Sequence, residues 1–277
     1  MKNKLFIFIS TLLLLSCWNK KSNTQQTEES ETVVECTENV QFTTYNYKQE
    51  KKLFDSEYPK YEIDFHIQYA KGNNNVAQYI NRQLAALLFN LDTMPFEEAQ
   101  KHFMDSLTNI FEKELKEFYE PENEYQETFS YEYSQKGTVS ENSPESIIAY
   151  TNRIETYTGG AHGGAFENYL NFYKDTGLPI TAQELFGKNL NTISKLVKEQ
   201  IIKDNDCQSA QELEEKRGIF SLGDVYISDN NFLLQNDGIL FCFNPYDIAP
   251  WSEGFIYTRL TYKQLEGLIS LNIITNK

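Results

Sequence analysis

The chain has 277 residues and a formal net charge of −15, from 25 Lys and Arg against 40 Asp and Glu. That sign argues against a nucleic-acid binder, which needs a basic face toward phosphate. An acidic surface attracts cationic partners instead, mainly by raising their on-rate.

Met1-Lys2-Asn3-Lys4 is basic and residues 5–15 are apolar. Spanning a bilayer takes roughly 20 residues, so this short run suits a signal peptide over residues 1–16. It ends in Leu14-Leu15-Ser16-Cys17, which resembles the bacterial lipobox. The resemblance implies that Cys17 is lipidated; ordinary cleavage near the same place is the alternative. Removing residues 1–16 deletes Lys2 and Lys4 and no acid, so the charge becomes 23 − 40 = −17. Residues 17–55 are rich in Ser, Thr, Asn, Gln, Glu and Lys. Such a stretch buries too little apolar area to offset its ordering entropy and reads as a flexible tether. No later segment is apolar enough to cross a membrane, so the expected attachment is by lipid alone. After Cys17 the cysteines are Cys36, Cys207 and Cys242, with no C-x-x-C pair to suggest zinc or a redox motif. They leave room for one disulfide and one thiol, with Cys242 expected as a small buried hydrophobe.

Residues 56–160 read as a first α+β domain. Tyr61, Ile63, Phe65, Ile67 and Tyr69 alternate with polar residues, which predicts a half-buried strand. Val76, Ile80, Leu84, Leu87, Leu88 and Leu91 then repeat at helical spacing, after an Asn cap. Pro95 starts a second helix whose stripe runs through Phe96, Ala99, Phe103, Leu107, Ile110, Phe111, Leu115 and Phe118. Strands follow around Phe129–Tyr133 and over 147–157.

Residues 161–277 read as a second α+β domain. Residues 166–173 alternate with aromatics on both faces of a strand. Thr181 and Glu184 have the spacing of a capping box, with Ile180 and Leu185 as its hydrophobic staple. A longer helix follows through Leu190, Ile193, Val197 and Ile201, then a polar surface helix or loop over 208–217. Asn236-Asp237-Gly238 predicts a hairpin, residues 255–260 a strand, and residues 262–269 a terminal helix. The expected fold is α+β: two small subdomains of antiparallel sheet, each with helices on one face.

Two stretches stand apart. Four of the 13 glycines fall within residues 159–164, between two strands, in Thr158-Gly159-Gly160-Ala161-His162-Gly163-Gly164. Such a run builds a tight bulged corner, or a platform of bare N–H groups, around His162 and Gly160. The second is Asn244-Pro245-Tyr246-Asp247-Ile248-Ala249-Pro250-Trp251, too rich in proline for a central strand. Its prolines stiffen a segment bearing Tyr246 and Trp251, which lowers the entropy lost on binding. The competing reading is that both rings close the core.

Taken together with Asn171-Phe172, Thr176-Gly177 and Leu185-Phe186, these motifs resemble the ectodomain of RsiV-type anti-sigma factors. The first domain is similar to the accessory domain of PdaC-type peptidoglycan deacetylases. RsiV-type ectodomains recognise lysozyme, so the resemblance implies a binding role. The chain lacks the Asp and His metal ligands of the deacetylase catalytic domain, and His66, His102 and His162 are widely spaced with no H-E-x-x-H or G-x-S-x-G. The expectation is a non-enzymatic envelope lipoprotein, periplasmic or on the outer membrane, with no cofactor or metal. It uses Tyr246, Trp251, Pro245, Pro250, His162 and Gly160 to bind a lysozyme-like cationic protein. A glycan- or peptidoglycan-binding accessory protein is the alternative, and an enzyme on cell-wall glycans the third reading.

Overall fold

The structure, a computed structural model, describes residues 40–270. The expected signal peptide, Cys17, Cys36 and residues 17–39 of the expected tether lie outside the described residues. The end of that tether segment is not loose chain: β1 (Gln41–Lys52) pairs antiparallel along its whole length with β2 (Lys60–Lys71). Tyr45, Tyr47 and Gln49 turn half-buried toward the helices while Thr44, Asn46 and Lys48 face solvent. The alternation is present, but Thr, Asn, Gln and Lys hide it. An edge strand with one wet face carries this composition without cost, because its charges also block further pairing.

Two helices separate β2 from the next strand. α1 (Asn75–Phe89) starts where the Asn74 side chain accepts the Ala77 N–H, and ends at Asn90 with φ +58°. α2 (Phe96–Phe118) follows the Pro95 cap. Their apolar stripes cover Tyr61, Ile63, Phe65 and Ile67, none more than 1% exposed. Each such side chain contributes about 1.5–3 kcal/mol by leaving water. After this crossover β3 (Ser130–Val139) lies parallel to β2, with Tyr61 beside Tyr131. The sheet is therefore mixed rather than antiparallel throughout. A connection of this length carries the chain back to the end of the sheet where β2 began, which is what a parallel neighbour requires. β4 (Ile147–Tyr157) and β5 (Gly164–Tyr173) complete the order β1-β2-β3-β4-β5, all other pairs antiparallel.

β5 lies beyond residue 160 yet belongs to the same sheet as β4. Away from the glycine corner, β4 and β5 are covered on both faces. Ile148, Tyr150, Leu170 and Phe172 join the core under α1 and α2, while Ile147, Ala149 and Tyr169 join a second core. That second core holds α3 (Ala182–Phe186), α4 (Leu190–Asp204), α5 (Ala210–Arg217) and a three-stranded antiparallel sheet. The strands are β6 (Phe232–Gln235), β7 (Gly238–Phe243) and β8 (Ile256–Thr261). Buried Asn171 on β5 ties the two layers, donating to the Phe232 carbonyl at 2.9 Å and accepting the Leu234 N–H at 2.8 Å. Both sheets fall in one compact unit.

Two local expectations are corrected. Thr181 does accept the Glu184 N–H at 3.1 Å, but the Glu184 carboxylate accepts the Tyr173 hydroxyl at 2.7 Å rather than reaching back. The Thr181 N–H, which a capping box would give to Glu184, is therefore not bonded to it, so only half of the box forms, while the first helical N–H, that of Ala182, is bonded to Asp229 at 2.7 Å. Residues 262–269 make successive turns, not a helix: Gly267 takes φ +74°, which interrupts any helical run. Leu265, fully buried, anchors those turns on the core.

Candidate functional site

The corner after β4 needs its glycines. A side chain at Gly163 would place its Cβ 2.4 Å from the Thr156 carbonyl oxygen, and Gly160 holds φ +89°. The tight turn presents His162 outward, exposed to solvent. Its Nδ1 lies 2.8 Å from the Gly163 carbonyl. A carbonyl only accepts, so Nδ1 carries a proton and Nε2 is the ring nitrogen left facing outward from that bond. The Tyr246 hydroxyl sits 3.5 Å from that Nε2, across 84 residues of sequence. The His162 ring also stacks on Trp251, with centroids 4.2 Å apart and planes 20° from parallel.

The corner and the proline-rich loop therefore form a single surface cluster. The loop is anchored from below: Ile248 and Ala249 are at most 2% exposed, and the Ile248 carbonyl accepts the Phe220 N–H at 2.6 Å. Asn244 accepts the Glu167 N–H at 2.6 Å, and Asp247 accepts the Asn244 N–H at 2.7 Å. With the aliphatic pair inside, the rings point out. Tyr246 is 57% exposed and Trp251 38%, so neither closes the core. Tyr246 takes φ +74°, a conformation costly for a side chain of its size. Pro245 is buried, and Pro250 is half-buried and packs beside Gly218. Gly160 is exposed, and its carbonyl accepts the Tyr157 hydroxyl at 3.2 Å.

Three features were not legible in the pattern. Residues 218–226 pack along the loop, where a Cβ on Gly223 would meet the Asp247 carbonyl at 2.8 Å. They add Leu222, 54% exposed, and Tyr226, 74% exposed, to the neighbouring surface. Single large apolar residues in an irregular segment carry no periodicity to mark them. Beneath the loop, buried Glu167 accepts hydrogen bonds from the Tyr169 hydroxyl at 2.5 Å and the Tyr257 hydroxyl at 3.1 Å. Arg153 stands 3.5 Å from the same carboxylate and covers the Phe255 ring at 4.6 Å. Burial raises both phenols above the ordinary tyrosine range, and burial followed by the Glu167 charge pushes the Cys242 thiol up to about 12. Cys242 and Cys207 are both free and buried.

Thirdly, the wet face of the first sheet collects carboxylates. Glu62, Asp64, Glu132 and Glu155 line a hollow of about 300 Å³ with Tyr157, whose hydroxyl leads to the glycine corner. Lys48 bridges Glu62 and Asp64 at 2.6 and 3.7 Å, and Arg153 pairs with Glu155 at 2.8 Å. His66 lies on the same face, 2.7 Å from Asn46. Among the described residues no group of three His, Cys, Asp or Glu side chains is placed to hold a metal ion.

Residues 54–165 match the family described as "Deacetylase PdaC", and residues 183–263 match "Protein of unknown function (DUF3298)". The first match ends in the glycine corner's following strand, and the second contains the Tyr246–Trp251 loop. No curated protein matches the chain. Among solved structures, a DUF3298 family member from Bacteroides fragilis is similar with a TM-score of 0.75 at 21% identity, covering 87% of this chain and 100% of that one. A DUF3298 family protein from Pseudomonas aeruginosa reaches 0.59 at 13% identity, with 87% and 99% covered. At these identities the likeness concerns the fold.

Proposed function

We propose that this protein is a non-enzymatic binding module of the bacterial cell envelope, held to a membrane by lipid at Cys17. Its His162–Tyr246–Trp251 cluster contacts a cationic envelope-active protein of the lysozyme kind. The observation that carries the reading is the cluster itself: exposed rings from two segments, with Tyr246 held in a conformation that a merely structural loop would avoid. Exposed Tyr and Trp on a pre-organised loop are the usual anchors of a protein interface. The carboxylate-lined sheet face beside the corner, the net charge of −15 and the resemblance to RsiV-type ectodomains support a basic partner. A glycan is the second reading, favoured by the same exposed rings, which offer stacking platforms to sugars without any need for charge.

The test is calorimetric titration of the full chain, in mild detergent, with lysozyme at low and physiological salt. Saturable binding at both, weakened about 30-fold or more by Tyr246→Ala with Trp251→Ala, is expected, since each interface anchor carries roughly 2 kcal/mol. Binding that vanishes at physiological salt is charge attraction alone and rejects the site. If lysozyme fails at both salts while chito-oligosaccharides bind independently of salt, the glycan reading replaces it. Turnover of any wall fragment sinks both.

A further inference from the structure

A second hollow, of about 730 Å³, opens at the far end of β2, between β1, the start of α1 and the turn into α2. That volume lies within the roughly 300–1,000 Å³ of small-molecule sites. Its apolar part is Tyr69, stacked on Phe96 with centroids 4.8 Å apart and planes 14° from parallel, together with Met94. The wall is rigid. The Asn81 side chain brackets the Ala70 peptide, accepting its N–H and donating to its carbonyl, both at 2.8 Å. Asn74 fixes the start of α1. A site whose walls are held by their own hydrogen bonds loses little freedom when filled.

The rim carries both signs of charge and uses none of it. Lys71 and Arg82 come from the end of β2 and from α1, while Asp92 and Glu97 come from the α1–α2 connection and the first turn of α2. None of the four side chains makes an ion pair or hydrogen bond among the described residues. The contrast decides the matter. Arg153, Arg217 and Arg259 are each bound to a carboxylate within 2.8 Å, which leaves Arg82 as the unpaired arginine of the described residues. Arginine is the side chain suited to bidentate recognition of a carboxylate.

From this geometry we infer that the hollow is a binding site for a small zwitterionic peptide. Arg82 and Lys71 hold the peptide's free carboxylate, Asp92 and Glu97 hold its ammonium group, and its aliphatic side chains lie on Tyr69 and Phe96. An anion alone would be repelled by Asp92 and Glu97, and a cation alone by Lys71 and Arg82. A ligand with separated charges satisfies all four. The site is independent of the His162–Tyr246–Trp251 cluster and of the partner proposed for it.

The test is a titration of the full chain, in mild detergent, with the tripeptide Lys-Ala-Ala, and with the same peptide amidated at its C-terminus. Saturable binding below about 1 mM is expected for the free peptide, with about tenfold loss on amidation. Arg82→Ala should cost the free peptide about tenfold and the amidated peptide almost nothing, because the partner is then already gone. Arg82 is exposed, so the variant should melt with the wild type; Arg82→Gln serves as a second variant. Trp251→Ala should leave tripeptide binding unchanged, so failure here is separable from failure of the aromatic cluster. The inference is overturned if the free peptide does not bind by several millimolar, if the amidated peptide binds equally well, or if Arg82→Ala changes affinity less than twofold.

Discussion

Tyr246 holds φ +74° at a position 57% exposed, and comparing its Gly and Ala variants isolates what that backbone costs. At an ordinary position Gly is less stable than Ala by about 0.5–1 kcal/mol, because the unfolded chain has more freedom to lose. At positive φ any residue with a Cβ carries about 1–2 kcal/mol of steric strain that Gly lacks. Both variants lose the same ring and the same weak contact at 3.5 Å to His162, and both keep the N–H bond to the Ala249 carbonyl at 3.0 Å. The difference is therefore the strain minus the entropy, about 0.7 kcal/mol in favour of Gly. For a folded unit of this size that raises Tm by about 2 °C over the Ala variant, measured by thermal melts under one buffer condition. Both variants should lose partner binding to the same degree, since neither carries the ring. An Ala variant that melts at or above the Gly variant refutes stored strain at this residue. A Gly variant that melts higher but binds normally refutes the role of the ring and leaves the conformation as a purely local accident.

Glu167→Gln replaces an acceptor that serves two phenols with a group whose NH₂ must meet one of them as a donor, and it removes one carboxylate from Arg153. The expected destabilisation is about 1–3 kcal/mol by denaturant titration, and a change under about 0.5 kcal/mol rejects the network as a structural support. Alkaline pH should weaken the fold. The folded-state pKa of Cys242 is raised from 9.0 to about 12, and that of Tyr61 from 10.0 to about 12, each chiefly by burial. The unfolded chain releases these protons first, so stability present below pH 9 falls progressively between about pH 9 and 12. Denaturation midpoints that stay flat from pH 9 to 11 contradict this. The same burial keeps the Cys242 thiol from alkylation by iodoacetamide at pH 8 until the protein unfolds.

Most elements were readable from local pattern because local pattern is what forms them. The strict alternation at residues 60–69, the stripes of α1 and α2, and the Asn-Asp-Gly turn between β6 and β7 each depend on near neighbours, and each stands where the spacing puts it, save that Ile110 and Phe118 at the edge and end of the α2 stripe are exposed because no layer covers them. So do Tyr169, Phe172 and Tyr173 on the two faces of β5, which face a core on either side, while Phe166 at the start of the strand is exposed. Where the deciding partner is distant, pattern fell short. β1 is polar in composition and becomes a strand because β2 offers it a ladder. β3 lies parallel to β2 because two helices return the chain to the other end. Glu184 leaves its capping role because Tyr173 reaches it first, and residues 262–269 give up a helix because Gly267 turns them onto the core. The same division holds at the site. Sequence alone determined that His162 sits in a glycine corner and that Tyr246 and Trp251 ride a proline-stiffened loop, because glycine and proline act on their own backbone. Only the tertiary structure decided that the two segments meet, that Glu167 lies beneath them, and that Arg82 is left unpaired beside an open hollow, because each is a matter of which surfaces the packed layers bring within a few ångströms.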